Sequence, residues 1–145
     1  MSLSTRFFAF KDLYIMSISI LVLGAPFHSE ACYTAYRYVK AALESKVKID
    51  RIFFYQSGIH TASSLSCPPG DEYNLYTAWQ SLKKSYELDL VVCIAAAARR
   101  ALIDEAEAKR HNKTAHNMSE EYELSGLGQL IEAIATSDQL ITFGE

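Results

Sequence analysis

The chain has 145 residues, half of them apolar or aromatic and about a fifth charged, with a formal net charge of −3. That length supports one domain able to bury about two-thirds of its unfolded surface without metals or disulfides, and the composition excludes a disordered chain. Mild acidity with scattered Lys and Arg excludes direct binding to a nucleic-acid backbone, and three cysteines without CxxC or zinc-type spacing fit a reducing cytoplasm.

Residues 1–15 carry Phe7, Phe8 and Phe10, but Lys11 and Asp12 interrupt an apolar run already too short for a secretion signal. They are read as an N-terminal extension to a domain over 16–145. Ser17 to Gly24 predicts a buried strand ended by Gly24-Ala25-Pro26. Ser29 to Lys46 predicts a helix with Ser29 as N-cap and Glu30 in its first turn. The loop between them has one glycine and no G-x-G-x-x-G, so no nucleotide cofactor is expected. His28 and Cys32 lie four apart, but two ligands do not make a zinc site, and no metal is expected. Ile49 to Tyr55 predicts the second strand, and Gln56 to Gly70 a long polar loop. Asp71 to Tyr86 predicts an amphipathic helix with Asp71 and Glu72 in its first turn and Leu75, Trp79 and Leu82 facing inward.

Leu88 to Ile94 is a short β-branched run that predicts a strand buried on both faces, and Ala95 to Ala98 with Arg99 and Arg100 predicts a helix reaching His111. His111 to Glu121 reads as polar, irregular and mobile; Gly126 to Thr136 predicts a last helix and Gln139 to Phe143 a last strand. This alternation predicts a flavodoxin-like three-layer α/β domain with a mostly parallel sheet. Chemistry in such sheets sits at the carboxyl ends of strands near the switch in strand order. There the Gly24-Ala25-Pro26 loop, the Gln56 to Gly70 loop and Cys93 are expected to meet.

Cys93 falls where the strand period gives way to the helix period. A thiol at a helix start lies near unpaired N–H groups that favour the thiolate, the reactive form, so Cys93 is the candidate catalytic residue. It is expected to be exposed in the cleft and to outpace Cys32 and Cys67 in alkylation. The competing reading is a small apolar filler at a strand end. Of Arg99 and Arg100, adjacent and pointing about 100° apart, at most one can face the thiol. Asp104 and Glu105 read as surface charges pairing with Arg100 or Lys109. A Cys–His hydrolase lacks a local signature, and nothing selects a base among His28, His60, His111 and His116.

The segment of Cys93, Ala95 to Ala98, Arg99-Arg100 and Asp104-Glu105 resembles the active-site region of the DsrE/TusD family of sulfur-relay proteins. Phe53-Phe54-Tyr55 with Gly58, Asp71-Glu72-Tyr73 with Trp79-Gln80, and Leu124-Ser125-Gly126-Leu127-Gly128 extend the resemblance over about Met16 to Phe143. It implies a sulfurtransferase subunit holding a persulfide on Cys93. The TusD-like branch further implies 2-thiolation of the tRNA wobble uridine, with a TusA-like donor, a TusE-like acceptor, and TusB-like and TusC-like sister subunits in a hetero-hexamer. The alternatives are a DsrE-type role in sulfur oxidation and a non-catalytic scaffold in which Cys93 is a core thiol.

Overall fold

The computed structural model describes residues 16–144; the 1–15 extension lies outside them. Strands β1 (Ser17–Val22), β2 (Lys48–Phe54), β3 (Leu90–Cys93), β4 (Glu123–Ser125) and β5 (Gln139–Phe143) pair in the order 4-3-2-1-5, every pairing parallel. The helices are α1 (Glu30–Glu44), α2 (Leu75–Tyr86), α3 (Ile94–Arg99), α4 (Glu105–Arg110) and α5 (Gly128–Thr136), with a 3-10 helix over Gln56–Ala62. Right-handed crossovers from β1 through β4 advance in one direction and put α1 to α4 on one face. The return from β4 to β5 puts α5 on the other, completing the expected three layers.

The core is the apolar content of the inner strands, with Ile20, Val22, Ile52, Phe53, Phe54, Val91 and Val92 buried together with Trp79 from α2. The two serines in β1 are partnered. Ser137 donates its hydroxyl to Asp50 (3.0 Å), so the 2.6 Å contact with Ser19 is donated by Ser19, and Ser17 N donates to the Asp138 carboxylate (2.7 Å). Arg51 ties α5 to the sheet, its Nε 2.6 Å from Asp89 and its Nη1 within 3.0 Å of Glu132 and 2.9 Å of the Gln129 carbonyl.

Ser29 caps α1 as expected, accepting from Ala31 N at 3.1 Å with Glu30 in the first turn. Three expectations fail for identifiable reasons. Helix α2 begins at Leu75 because the Asn74 side chain accepts from Thr77 N (3.2 Å), which leaves Asp71 and Glu72 in the turn before it. The helix after Cys93 stops at Arg99. Ala101 turns left-handed (φ 56°), Leu102 N returns to the Ala97 carbonyl (3.0 Å), and Leu102 is thereby buried, a Schellman closure. Asp104 then caps α4 by accepting from Glu107 N at 2.8 Å. Finally, the segment read as mobile is anchored at its far end, where Met118 is buried and bridges Ser63, while residues 111–116 are exposed.

Candidate active site around Cys93

The β-branched run of β3 is buried because it lies between β2 and β4, with Val92 opposite Phe54 and Cys93 opposite Ser125. Cys93 ends the strand with extended backbone (φ −64°, ψ 115°) and the next residue begins α3. Its neighbours along α3 are small: Ala96 and Ala97 are buried, which lets the helix lie close over the strand end. The 3-10 helix packs on both β3 and α3. It is seated there by Gly58, where a Cβ would stand 2.2 Å from the Val22 carbonyl oxygen, so only glycine permits the approach.

The result is a covered thiol. Cys93 is 2% exposed, in one cluster with Ile59, Ala62, Leu102, Met118 and Tyr122, and its sulfur makes no cap hydrogen bond to α3. Two expectations are corrected here. Cys93 is not exposed in a cleft: it is buried, at the end of a strand against which the 3-10 helix and α3 pack. Nor does it stand at the switch in strand order, which falls between β1 and β5, with β2 separating Cys93's strand from β1. The Gly24-Ala25 and Gln56-Ser57 loops do meet, around a cavity of about 220 Å³ that also includes His28. The positive helix end on which the thiolate expectation drew belongs to a six-residue helix, not to one reaching His111.

The other thiols differ in kind. Cys32 is buried, donates to the Ser29 (3.0 Å) and Ala25 (3.4 Å) carbonyls, and is pushed up to about 11 by burial, which makes it inert at neutral pH. Cys67 is the exposed cysteine. Among the described residues no group of three metal-ligating side chains occurs.

Of the paired arginines, Arg100 is the half-buried one. Its Nη1 donates to the Ala96 carbonyl (3.3 Å), and its charge reaches His60 on the 3-10 helix, while Arg99 is exposed. Partial desolvation, with Arg100 beside it, holds the His60 imidazole below its ordinary value. Glu105 pairs with Lys109 at 2.7 Å as expected, and Asp104 is spent on its cap. Of the four histidines, His60 alone is carried on an element packed against Cys93's strand.

The pattern of the sequence missed Thr61, Trp79 Nε1, Tyr122 and Asn117. Thr61 Oγ1 and Trp79 Nε1 are buried without a hydrogen-bond partner among the described residues, and Tyr122 donates to the Thr61 carbonyl (3.4 Å). Trp79 and Tyr122 both stand edge-on to Phe54 (ring centroids 5.6 and 5.7 Å), forming an aromatic wall behind the 3-10 helix. Tyr122's hydroxyl is driven far above its ordinary range by burial and stays protonated. Asn117 lies beside a largely apolar cavity of about 500 Å³ shared with Leu65, Ala98, Ala101 and Ile103.

Residues 16–143 match the model of the DsrE/DsrF-like family. A sulfurtransferase TusD homolog of Pseudomonas aeruginosa is 44% identical over 129 residues, covering 89% of this chain and 98% of its own. Sulfurtransferase TusD of Proteus mirabilis is 39% identical over 88% and 98%, and a relative named as DsrE from Allochromatium vinosum is 42% identical over 90% and 100%. The crystal structure of the ychN protein from E. coli superposes with a TM-score of 0.69 at 19% identity, covering 88% of this chain and 99% of that one, a likeness of fold. With the strand, its terminal cysteine and the following alanine helix inside the matched span, the chain belongs to the DsrE/DsrF-like family.

Proposed function

We propose that the chain is a sulfurtransferase subunit that carries sulfur on Cys93. One observation carries the reading: in a chain matched over nearly its whole length by proteins named sulfurtransferase, Cys93 is the last residue of an interior parallel strand, at the carboxyl end of the sheet where α/β folds place their chemistry. The Cys93 thiolate attacks the outer sulfur of a persulfide on a donor protein. The donor's S–S bond breaks, the donor thiolate leaves with the electron pair, and Cys93 becomes a persulfide. An acceptor thiolate then attacks that outer sulfur and Cys93 leaves as thiolate, so sulfur moves with no net oxidation.

The TusD-named relatives favour a cytoplasmic route to tRNA 2-thiolation, with a TusA-like donor, a TusE-like acceptor and TusB-like and TusC-like sister subunits in a hetero-hexamer. Assembly is supported by an apolar stripe on α5, where Leu127, Ile131 and Ile134 are 44%, 67% and 52% exposed at helical spacing. The 42% identity to the relative named as DsrE favours, as the second reading, the same transfer in sulfur oxidation. The burial of Cys93 supports a third, alternative reading, a scaffold in which Cys93 is a core thiol.

The discriminating experiment incubates the chain with a protein persulfide donor and maps added sulfur, a gain of about 32 Da, by peptide mass spectrometry. Sulfur is expected on Cys93, and Cys93→Ser should abolish transfer to an acceptor while the fold persists. Transfer surviving in Cys93→Ser, or sulfur found only on Cys67, overturns the assignment.

A further inference from the structure

Asn117 sits in a stretch without helical or strand periodicity, yet it is the most heavily bonded residue of its loop. Its side-chain Oδ1 accepts from Ile103 N (3.0 Å), and its Nδ2 donates to the Ala101 carbonyl (2.8 Å). Its main-chain N donates to the Ile103 carbonyl (3.1 Å), and its carbonyl accepts from both the main-chain N (2.8 Å) and the hydroxyl (2.9 Å) of Ser64. One residue therefore fastens the turn that ends α3 to the chain leaving the 3-10 helix. Both elements pack at the end of Cys93's strand, and Ile59, Ala62 and Leu102 share the buried cluster that holds Cys93.

The side chain is suited to this by type. It accepts from one main-chain group and donates to another two residues away, as a carboxamide can because it carries an acceptor and a donor on one short planar group. Its grip on Ala101 also falls on the one left-handed residue of the α3 closure, a backbone state that persists where surrounding bonds hold it. Ser119 N, bonded to the Ala62 carbonyl (3.4 Å), continues the same seam.

We propose that Asn117 is a positioning residue for sulfur transfer: by joining the α3 turn to the exit of the 3-10 helix, it sets how deeply Cys93 is covered and so how readily the thiol meets a reacting partner. This rests on the reading of Cys93 as the sulfur carrier. Exchange at Cys93 requires local opening of the cover, and the free energy of that opening includes the bonds Asn117 makes.

The test is iodoacetamide alkylation of the native full chain, with separate rates for Cys32, Cys67 and Cys93 read by peptide mass spectrometry. Asn117→Ala removes two side-chain bonds to main-chain groups and is expected to raise the Cys93 rate roughly ten-fold, with Cys67 unchanged and Cys32 still unreactive. Asn117→Asp keeps the acceptor for Ile103 N but loses the donor to Ala101 and should raise it less. Ser64→Ala deletes a single exposed hydroxyl bond on the other side of the seam. It leaves the Ser64 main-chain bond in place, should leave Tm close to that of the unsubstituted chain, and should raise the Cys93 rate about two-fold. A Cys93 rate unchanged in folded Asn117→Ala, or rates at Cys32 and Cys93 rising together, makes Asn117 merely structural and overturns the proposal. If Asn117→Ala does not fold, an unchanged rate in Ser64→Ala overturns it. The carrier reading is tested apart, by persulfide loading of the unsubstituted chain: absence of sulfur on Cys93 sinks that reading whatever the alkylation rates show.

Discussion

Gly58→Ala is expected to lift the 3-10 helix off the end of β1. The added Cβ would stand 2.2 Å from the Val22 carbonyl oxygen and 2.9 Å from its carbon, both main-chain atoms that no rotamer change can move. Ordinary contact is about 3.5 Å, so the segment must retreat by roughly 1 Å. Such overpacking costs about 1–3 kcal/mol. The retreat also strains the bond from Tyr55 N to the same carbonyl (2.9 Å), a contribution of about 1 kcal/mol. Together these predict a loss of about 2–4 kcal/mol, or roughly 10 °C in Tm for a chain of this size. Thermal unfolding followed by circular dichroism reads the loss. Because the same helix covers Cys93, the variant should also alkylate faster at Cys93 below its transition. A Tm within about 2 °C of the unsubstituted chain would refute the close-approach argument.

His60 should titrate below its ordinary value of 6.5, and Arg100→Gln should raise its midpoint; a midpoint insensitive to Arg100 in an NMR titration would refute the coupling. Since the folded state disfavours the protonated imidazole, the associated stability is full above the unfolded value and is lost as pH falls through the lower folded one, loosening the 3-10 helix in mild acid. Arg51→Met should destabilise by about 1–2 kcal/mol in urea unfolding, since it strands Asp89 and frees α5 from the sheet; no change in the midpoint would show the clamp to be idle. Ile131→Asp should reduce self-association or sister-subunit binding without lowering Tm, and light scattering that shows the same particle size for both chains would remove α5 from the interface.

The three layers were legible because strand and helix periods are strong in this chain, and because Ser29-Glu30 at α1 is a cap the local sequence defines by itself. Three features were not legible. Strand β4 has three residues, too few for any alternation, and exists because β3 offers it a ladder. The early end of α3 is decided by Leu102, whose burial depends on the tertiary fold and not on helix propensity, which runs straight through Arg100 and Ala101. Asn117's side-chain bonds go to an amide N–H 14 residues away and a carbonyl 16 residues away, and a polar loop residue gives no sign of them. The site itself was half legible. The joint at Cys93 follows from the change of period, whereas the 3-10 helix Gln56–Ala62 that packs on its strand and on α3 lies where the sequence reads only as loop.

Strand order also bears on how the chain is made. β1 is synthesised early and pairs with β2 within about one helix's length, but its other edge waits for β5, whose Gln139–Phe143 lies opposite Ile18–Val22. The bonds of Ser17 to Asp138 and Ser19 to Ser137 join residues 121 and 118 positions apart, so this side of the sheet closes last during vectorial synthesis. Until then an apolar strand with a bare hydrogen-bonding edge is available to other nascent chains. A chain stopped before Gln139 would keep Cys93, the 3-10 helix and the Asn117 seam, and would nonetheless aggregate.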